Sequence, residues 1–226
     1  MGSDDLFHKR KARSREALEK RHYRRAPYAK VLIVCEGEKT EPHYFLELRD
    51  HYRLEATNIL ISGDCGSDPM SVYAAAKDKY ARHSGAGDPF DKVYCVFDQD
   101  THANYQRAVD ALSRARPAET WEAITSVPCF EYWILLHFNP TTRAFRGAGR
   151  TSGCQQVIND LENYLPGYSK GQRGLFDQLV EQLDFAIQNA RRVHHQARVT
   201  GTDNPSTRIY ELVEYLSSLG KASQRN

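Results

Sequence analysis

Two short runs of consecutive apolar residues, 31–35 and 93–97, dominate the hydrophobic pattern of the first half of the chain. Runs without polar alternation are typical of strands that are covered on both faces of a sheet. Each run stops at an acidic residue, Glu36 in the first case and Asp98 in the second. Because open α/β sheets bind ligands at the carboxyl ends of their strands, the pattern predicts one site shared by both ends.

The pattern between and after these runs alternates between strand and helix. Strands are predicted at 30–35, 58–62, 92–97 and 121–127. Helices are predicted to begin near Glu41, to run over 69–83 and 105–116, and to follow Pro128. Such alternation is typical of parallel strands with right-handed crossovers. The expected fold class is therefore α/β, with a mainly parallel four-stranded sheet flanked by helices.

The pattern changes after residue 140. A polar loop rich in Gly and Arg is expected at 141–153, followed by three helical patterns at 153–164, 174–197 and 206–219. No strand signal appears after residue 127. Three parts are predicted: a basic N-terminal arm at 1–27, an α/β core at 28–140, and a C-terminal helical extension at 141–226 packed on the core.

The length and the cysteine content of the chain limit the classes of protein to which it can belong. A chain of 226 residues can bury a sizeable core without disulfides or metals. No apolar run reaches the roughly 18 residues that a membrane span needs, and no signal peptide opens the sequence, so a cytoplasmic protein without a membrane partner is expected. The five cysteines are odd in number and include no C-x-x-C pair, which predicts reduced thiols and argues against a disulfide framework or a zinc site. Cys35 and Cys95 are expected in the core.

Charge is distributed unevenly along the chain. Residues 1–25 hold nine basic and four acidic side chains, a balance of 9 − 4 = +5, and the remainder has 22 − 25 = −3. A basic arm on a mildly acidic body is a plausible contact for nucleic-acid phosphates. A solvated arm without a binding role explains the same charges, and the sequence leaves both interpretations open.

The acids at the strand ends have the composition of a magnesium site. Mg²⁺ is commonly held by one or two carboxylates together with water and substrate phosphate, and Glu36, Asp98 and Asp100 supply such a set, with Mn²⁺ as a substitute. Asp98 and Asp100 are two residues apart where the chain leaves a strand, so both can face the same side. The alternative is that strand-end acids only cap the following helices. Gly37-Glu-Lys-Thr40 lacks the first glycine of a P-loop, so ATP binding is not favoured.

These residues resemble a known family. Glu36-Gly-Glu-Lys-Thr-Glu-Pro-His-Tyr-Phe45 with Val96-Phe-Asp-Gln-Asp100 is similar to the RloB family, whose core looks like the Toprim domain of topoisomerases, bacterial primases and OLD-family nucleases. Further similar motifs are Pro128-Cys-Phe-Glu-Tyr-Trp-Ile-Leu-Leu-His-Phe138, Tyr168-Ser-Lys170 and Asn204-Pro-Ser-Thr207. The resemblance covers nearly everything except the arm.

The resemblance assigns expected roles to individual residues. Glu36, Asp98 and Asp100 would be the metal ligands, Glu41 and Glu131 further catalytic candidates, and Lys170 a contact to the scissile phosphate. The chain departs from the family at Ser126-Val-Pro128, where relatives carry Ser-Asn-Pro. This change removes an amide that could form a hydrogen bond near Glu131.

The function that the resemblance implies is a Mg²⁺-dependent Toprim-type endonuclease acting on RNA or DNA. RloB-like proteins are associated with antiphage defence and abortive infection, beside an ATPase partner of the RloA/AAA or ABC type. The alternative is a non-catalytic subunit that binds nucleic acid or regulates the ATPase. Topoisomerase-type strand transfer would need a nucleophilic tyrosine, and none of the 13 tyrosines has a distinctive context. Substrate class and oligomeric state stay open.

Four residues or motifs have a structural alternative beside the functional one. Glu131 lies in an otherwise apolar segment. A metal or an Arg partner would explain a buried charge there, and the alternative is that Glu131 lies on an exposed helix face. Lys170 is either a phosphate contact or a solvated loop lysine. His137 is expected to be a core histidine, and Asn204–Thr207 is explained as a helix start.

Overall fold

The computed structural model describes residues 29–99 and 102–223, and its centre is one five-stranded sheet with the order β2-β1-β3-β4-β5. The strands are β1 (Val31–Cys35), β2 (Ile59–Ser62), β3 (Lys92–Asp98), β4 (Trp121–Val127) and β5 (Ser206–Thr207). The first four run parallel, and β5 pairs antiparallel with β4. The α/β class with a mostly parallel sheet is confirmed, whereas the count of four strands is wrong.

The missed strand is β5, which has two residues. Ser126 pairs with Thr207 in the ladder, and their hydroxyl oxygens lie 3.0 Å apart. A two-residue strand has no period in its sequence, so the expectation of no strand after residue 127 could not have been corrected from the pattern. The helix predicted from 206 begins instead at Ile209, whose backbone N–H donates to Thr207 Oγ1 at 3.2 Å.

Eight α-helices and one 3₁₀ turn surround the sheet within the described residues. The helices are α1 (Thr40–His51), α2 (Pro69–Gly85), α3 (Tyr105–Ser113), α4 (Glu131–Leu135), α5 (Gly153–Leu161), α6 (Leu175–Leu179), α7 (Leu183–Thr200) and α8 (Ile209–Ser223). The single helix predicted over 174–197 is in fact α6, a 3₁₀ turn at Val180–Gln182, and α7. Asp68 caps α2, since its Oδ1 accepts hydrogen bonds from the backbone N–H groups of Met70 and Ser71.

Both faces of the sheet are buried, which explains the unbroken apolar runs. Val31, Ile33 and Cys35 of β1 pack with α1, α4 and the C-terminal helices. Leu32 and Val34 pack on the opposite face with α2 and α3. Alternating side chains of one strand thus enter two separate cores. Cys35 and Cys95 are fully buried, as predicted.

The C-terminal helices contribute to the same core as β1. Ile209, Leu212, Val213 and Leu216 of α8 belong to the cluster that contains Val31 and Ile33. Within the described residues, no helix is both long and apolar enough to cross a membrane. The predicted arm 1–27 lies outside the described residues, and the division into three parts stays a prediction.

One disulfide, Cys129–Cys154, links the turn after β4 to the first turn of α5, with 5.6 Å between the Cα atoms. The expectation of reduced thiols is therefore wrong for this pair. The two cysteines are 25 residues apart, a spacing without a sequence signature, and an odd total does not exclude one bridge. The remaining cysteines are free: Cys35, Cys65 and Cys95.

Candidate functional site

A pocket of about 610 Å³ opens at the carboxyl ends of β1 and β3. It brings together five of the six residues predicted for the site, which are Glu36, Glu41, Asp98, Glu131 and Lys170. The sixth, Asp100, lies outside the described residues, so its role stays a prediction. The expectation that two strand ends share one site thus corresponds to a real cavity, which brings four of the predicted acids together with the Lys170 ammonium group.

Glu36 bridges β1 and β3 at the floor of the pocket. Its backbone N–H donates to Val96 O at 2.9 Å, and its Oε2 accepts the backbone N–H of Asp98 at 3.0 Å. Its other carboxylate oxygen lies 2.9 Å from His102 Nε2. Sequence reasoning missed His102, although its position four residues after Asp98, in the loop leaving the same strand, was an available signal.

Glu41 lies in the first turn of α1 and is almost fully buried. Burial raises the pKa of Glu41 to about 7; a hydrogen bond from its own backbone opposes this, and the Glu131 and Glu36 carboxylates add to the rise. Gly37 leaves room for this side chain, because a Cβ atom at position 37 would lie 2.7 Å from Glu41 Oε2. The glycine is therefore required for close approach and not for an unusual φ angle.

Asp98 ends β3 with its carboxyl group among the other acids. Burial raises the pKa of Asp98 well above its usual range, and the Glu41, Glu131 and Glu36 carboxylates raise it further, against a hydrogen bond from the Phe130 backbone. Carboxylates that share a site in this way disfavour one another's ionisation. A bound cation would remove that penalty.

Glu131 begins α4 and is 1% exposed, so the interpretation as an exposed helix face is wrong. Its Oε1 lies 3.2 Å from Lys170 Nζ and accepts a hydrogen bond from the Tyr168 hydroxyl, also at 3.2 Å. Its Oε2 lies 3.2 Å from Cys154 Sγ. Glu131 has a cationic partner, which within the described residues is a lysine and not the arginine predicted from the sequence as one alternative.

Lys170 is held by a loop that is anchored on α1. The backbone N–H of Gly171 donates to Thr40 Oγ1 at 2.9 Å, and His43 Nδ1 lies 3.1 Å from Gly171 O. Glu47 accepts the backbone N–H groups of Gly174 and Phe176, at 2.6 and 2.9 Å. These contacts join segments far apart in sequence, and local patterns gave no signal for them.

The Glu131 carboxylate stabilises the charged form of the Lys170 side chain. Burial lowers the pKa of Lys170, but the Glu131 carboxylate outweighs this effect, so the pKa is raised overall. About half of the side chain (54%) is exposed to the pocket. Lys170 is therefore neither a free surface lysine nor a buried one, since it is paired on one side and open on the other.

The residues present fit a hard divalent cation. Carboxylate oxygens are the donors that Mg²⁺ and Mn²⁺ prefer, and Glu36 and Asp98 provide them on adjacent parallel strands. Burial first and the neighbouring carboxylates second raise the pKa values of Asp98 and Glu41, and a bound cation would oppose both effects.

A family model described as RloB-like protein matches residues 31–216 of the chain. The matched segment extends from β1 into α8 and contains all the described site residues, including His102, Tyr168 and Cys154. The curated proteins and the solved structures contain no match to the chain.

Proposed function

The chain belongs to the RloB-like protein family, and on that premise we propose that it is a metal-dependent nuclease that hydrolyses phosphodiester bonds of RNA or DNA. The observation that carries the proposal is the meeting of Glu36, Glu41, Asp98 and Glu131 with Lys170 in one pocket. A Toprim-like origin of the core is part of the same proposal. It is supported by the acids that follow the neighbouring parallel strands β1 and β3.

In the proposed mechanism, Glu36 and Asp98 would hold Mg²⁺, and Asp100 would be a third ligand. When bound, Mg²⁺ supplies positive charge that polarises the phosphodiester and lowers the pKa of water. His102 and the Asp98 backbone fix both oxygens of Glu36, so this ligand is oriented before substrate arrives. Four acids repel a phosphate, which explains why hydrolysis would depend on the cation.

Lys170 would contact the phosphate. Its ammonium group is fixed on one side by Glu131 and faces the pocket on the other. Such a cation positions the nucleic-acid backbone without reading its sequence. The half-exposed ammonium beside the acids therefore supports a substrate with a phosphodiester rather than a neutral substrate.

The biological part of the proposal rests on family membership alone. We propose that the nuclease acts in antiphage defence or abortive infection, together with an ATPase partner. Co-purification of the chain with an ATPase encoded beside it, followed by comparison of cleavage rates with and without that partner and ATP, tests this part.

The decisive experiment measures cleavage of labelled tRNA, single-stranded DNA and double-stranded DNA with Mg²⁺ or Mn²⁺. Wild-type protein is expected to cut in the presence of either ion and to stop on chelation. Asp98→Asn is expected to fold and to lose cleavage by at least about 100-fold, since typical catalytic contributions have this size. Asp78→Asn, an exposed acid paired with Arg82 on α2, is the matched control.

Two results would contradict the proposal. Wild-type rates in a folded Asp98→Asn protein would remove Asp98 from the metal site. Nucleic-acid binding without turnover in Mg²⁺, Mn²⁺ and Ca²⁺ would favour the alternative function, a non-catalytic binding or ATPase-regulating subunit.

A further inference from the structure

The disulfide Cys129–Cys154 lies against the charged pair that the pocket presents to substrate. Cys154 Sγ is 3.2 Å from Glu131 Oε2 and 3.4 Å from Lys170 Nζ. Cys129 is only two residues before Glu131, in the turn that leads into α4. The bridge thus touches both ends of the Glu131–Lys170 ion pair, although both cysteines are buried away from bulk solvent.

Breaking the bridge would change the chemistry at both contacts. A disulfide sulfur has no proton and no charge, so it leaves Lys170 paired with Glu131. A Cys154 thiol would instead donate a hydrogen bond to Glu131, and a thiolate would attract Lys170 and repel Glu131. Reduction would also release the constraint that holds the first turn of α5 against the start of α4.

We propose that Cys129 and Cys154 are a redox-sensitive modification site that controls the placement of Glu131 and Lys170. The oxidised state holds the pocket as described, and reduction by a dithiol loosens it. The effect on cleavage rests on the proposed nuclease function, whereas the effect on the two side chains does not.

A peroxide can oxidise the two thiols to the disulfide, and a dithiol can reduce the disulfide to the two thiols again. Hydrogen peroxide takes two electrons from the cysteines: the Cys154 thiolate attacks one peroxide oxygen, the O–O bond breaks, and water leaves after protonation. Cys129 then attacks the resulting sulfenic sulfur, forms the S–S bond and releases a second water. A dithiol reverses this by exchange, gives two electrons and two protons, and becomes a cyclic disulfide.

Cys154 is the expected site of peroxide attack. Its sulfur lies 3.4 Å from the Lys170 ammonium, which stabilises a thiolate and offsets the Glu131 carboxylate at 3.2 Å, and Lys170 is half exposed in the pocket. Cys129 acts as the resolving cysteine.

A rival interpretation is a metal site. Among the described residues, ligand atoms of Cys129, Glu131 and Cys154 all lie within 4.8 Å of one another. With the bridge formed, however, neither sulfur is a thiolate, and the thiolate is the form that binds metal. The interpretation therefore applies only to reduced protein, where it can be tested directly.

The test begins with a thiol count in denaturant after treatment with peroxide or with dithiothreitol. Oxidised wild type should show three thiols, from Cys35, Cys65 and Cys95, and reduced protein five. In the folded protein, the rate of Lys170 acetylation by acetic anhydride, followed by peptide mass spectrometry, should rise several-fold on reduction. Mn²⁺ affinity and nucleic-acid cleavage should fall by about tenfold, the usual effect of disturbing groups around a metal site.

Serine variants make the outcomes decisive. Cys129→Ser and Cys154→Ser cannot form the bridge and should show the Lys170 reactivity of reduced wild type with and without dithiothreitol, whereas Cys65→Ser, which removes a half-exposed free thiol, should respond like wild type. Five thiols after peroxide, or equal Lys170 reactivity in both states, would overturn the proposal. Uptake of one Zn²⁺ per reduced chain by wild type and not by Cys129→Ser would replace it with the metal site. If Lys170 reactivity responds but no cleavage occurs, the switch stands and the nuclease proposal fails.

Discussion

The Lys170 ammonium lies 3.2 Å from the Glu131 carboxylate, and the glutamate side chain is only 2% exposed. A charge buried to this degree is costly to leave without a partner. Lys170 therefore has a structural role in addition to the proposed contact with phosphate, and the two roles can be separated by experiment.

Lys170→Met should destabilise the fold by about 1–2 kcal/mol, less than for a fully buried pair because the lysine is half exposed. Adding Glu131→Gln should restore part of this stability, since the neutral amide needs no cation. Urea unfolding of the two single variants and the double variant measures the coupling. Additive effects would show that the pair does not interact.

Asp98→Asn should raise the free energy of unfolding in metal-free buffer at pH 8. Burial, and after it the neighbouring acids, raise the pKa of Asp98, so its charged form is disfavoured in the folded protein. The same variant should lose the increase in melting temperature that Mg²⁺ gives to wild type. Thermal melts with and without Mg²⁺ test both effects, and a less stable variant without metal would contradict the electrostatic account.

Glu41 should make metal-free protein less stable as the pH rises. Its folded pKa of about 7 exceeds the ordinary 4.5, so its contribution is complete below pH 4.5 and is lost by about pH 7. The loss is about 3 kcal/mol, and Glu41→Gln should remove it. The free energy of unfolding of wild type and of Glu41→Gln, measured from pH 4 to 8, gives the contribution of Glu41. Parallel curves for the two proteins would contradict the prediction.

His137 should act in the opposite direction. Burial lowers the pKa of His137 to about 4, against hydrogen bonds to the Trp133 and Ile134 backbone. The unfolded chain therefore binds the proton first, and stability falls by about 3 kcal/mol as the pH drops from 6.5 to 4. His137→Phe should lack this fall. If the stability of wild type and variant falls equally as the pH drops from 6.5 to 4, another group is responsible for the fall.

Gly171→Ala and Gly167→Ala separate backbone strain from damage to the pocket. Gly171 and Gly167 have φ angles of 78° and 77°, in the left-handed region. Each alanine substitution therefore lowers the free energy of unfolding by roughly 1–2 kcal/mol. Only at position 171 would the new Cβ meet another residue, Lys39, at 2.7 Å, whereas position 167 is open. Gly171→Ala should lose more stability than Gly167→Ala because of the contact with Lys39, and only Gly171→Ala should also lose metal-dependent cleavage. Equal activity would show that this loop does not position Lys170.

The strand ends could be predicted because their signal is local. An apolar run followed by acids identifies Glu36 and Asp98 without knowledge of the fold, and parallel pairing of β1 with β3 then places them side by side. Burial of Cys35 and Cys95 followed from the same runs. Glu131 was identifiable because a charge in an apolar segment requires a partner.

The groups that complete the pocket could not be predicted, because their contacts join distant segments. Nothing near Cys129 in sequence indicates that it bonds to Cys154. Glu47 looks like an ordinary helix residue until Gly174 and Phe176 are seen to donate to it. β5 consists of two residues whose pairing with β4 is set by hydroxyl and backbone contacts, not by a repeated pattern.

The order of residues around the pocket has a consequence for synthesis. Glu36, Glu41, Asp98 and Glu131 all precede Lys170, and the loop carrying the lysine is anchored back on Thr40. Chains begin to fold while they leave the ribosome, N-terminal parts first. A nascent chain therefore carries the four acids before it has the cation that pairs with Glu131. The pocket therefore becomes complete late in translation, and a chain that ends before Lys170 lacks the cation that pairs with Glu131.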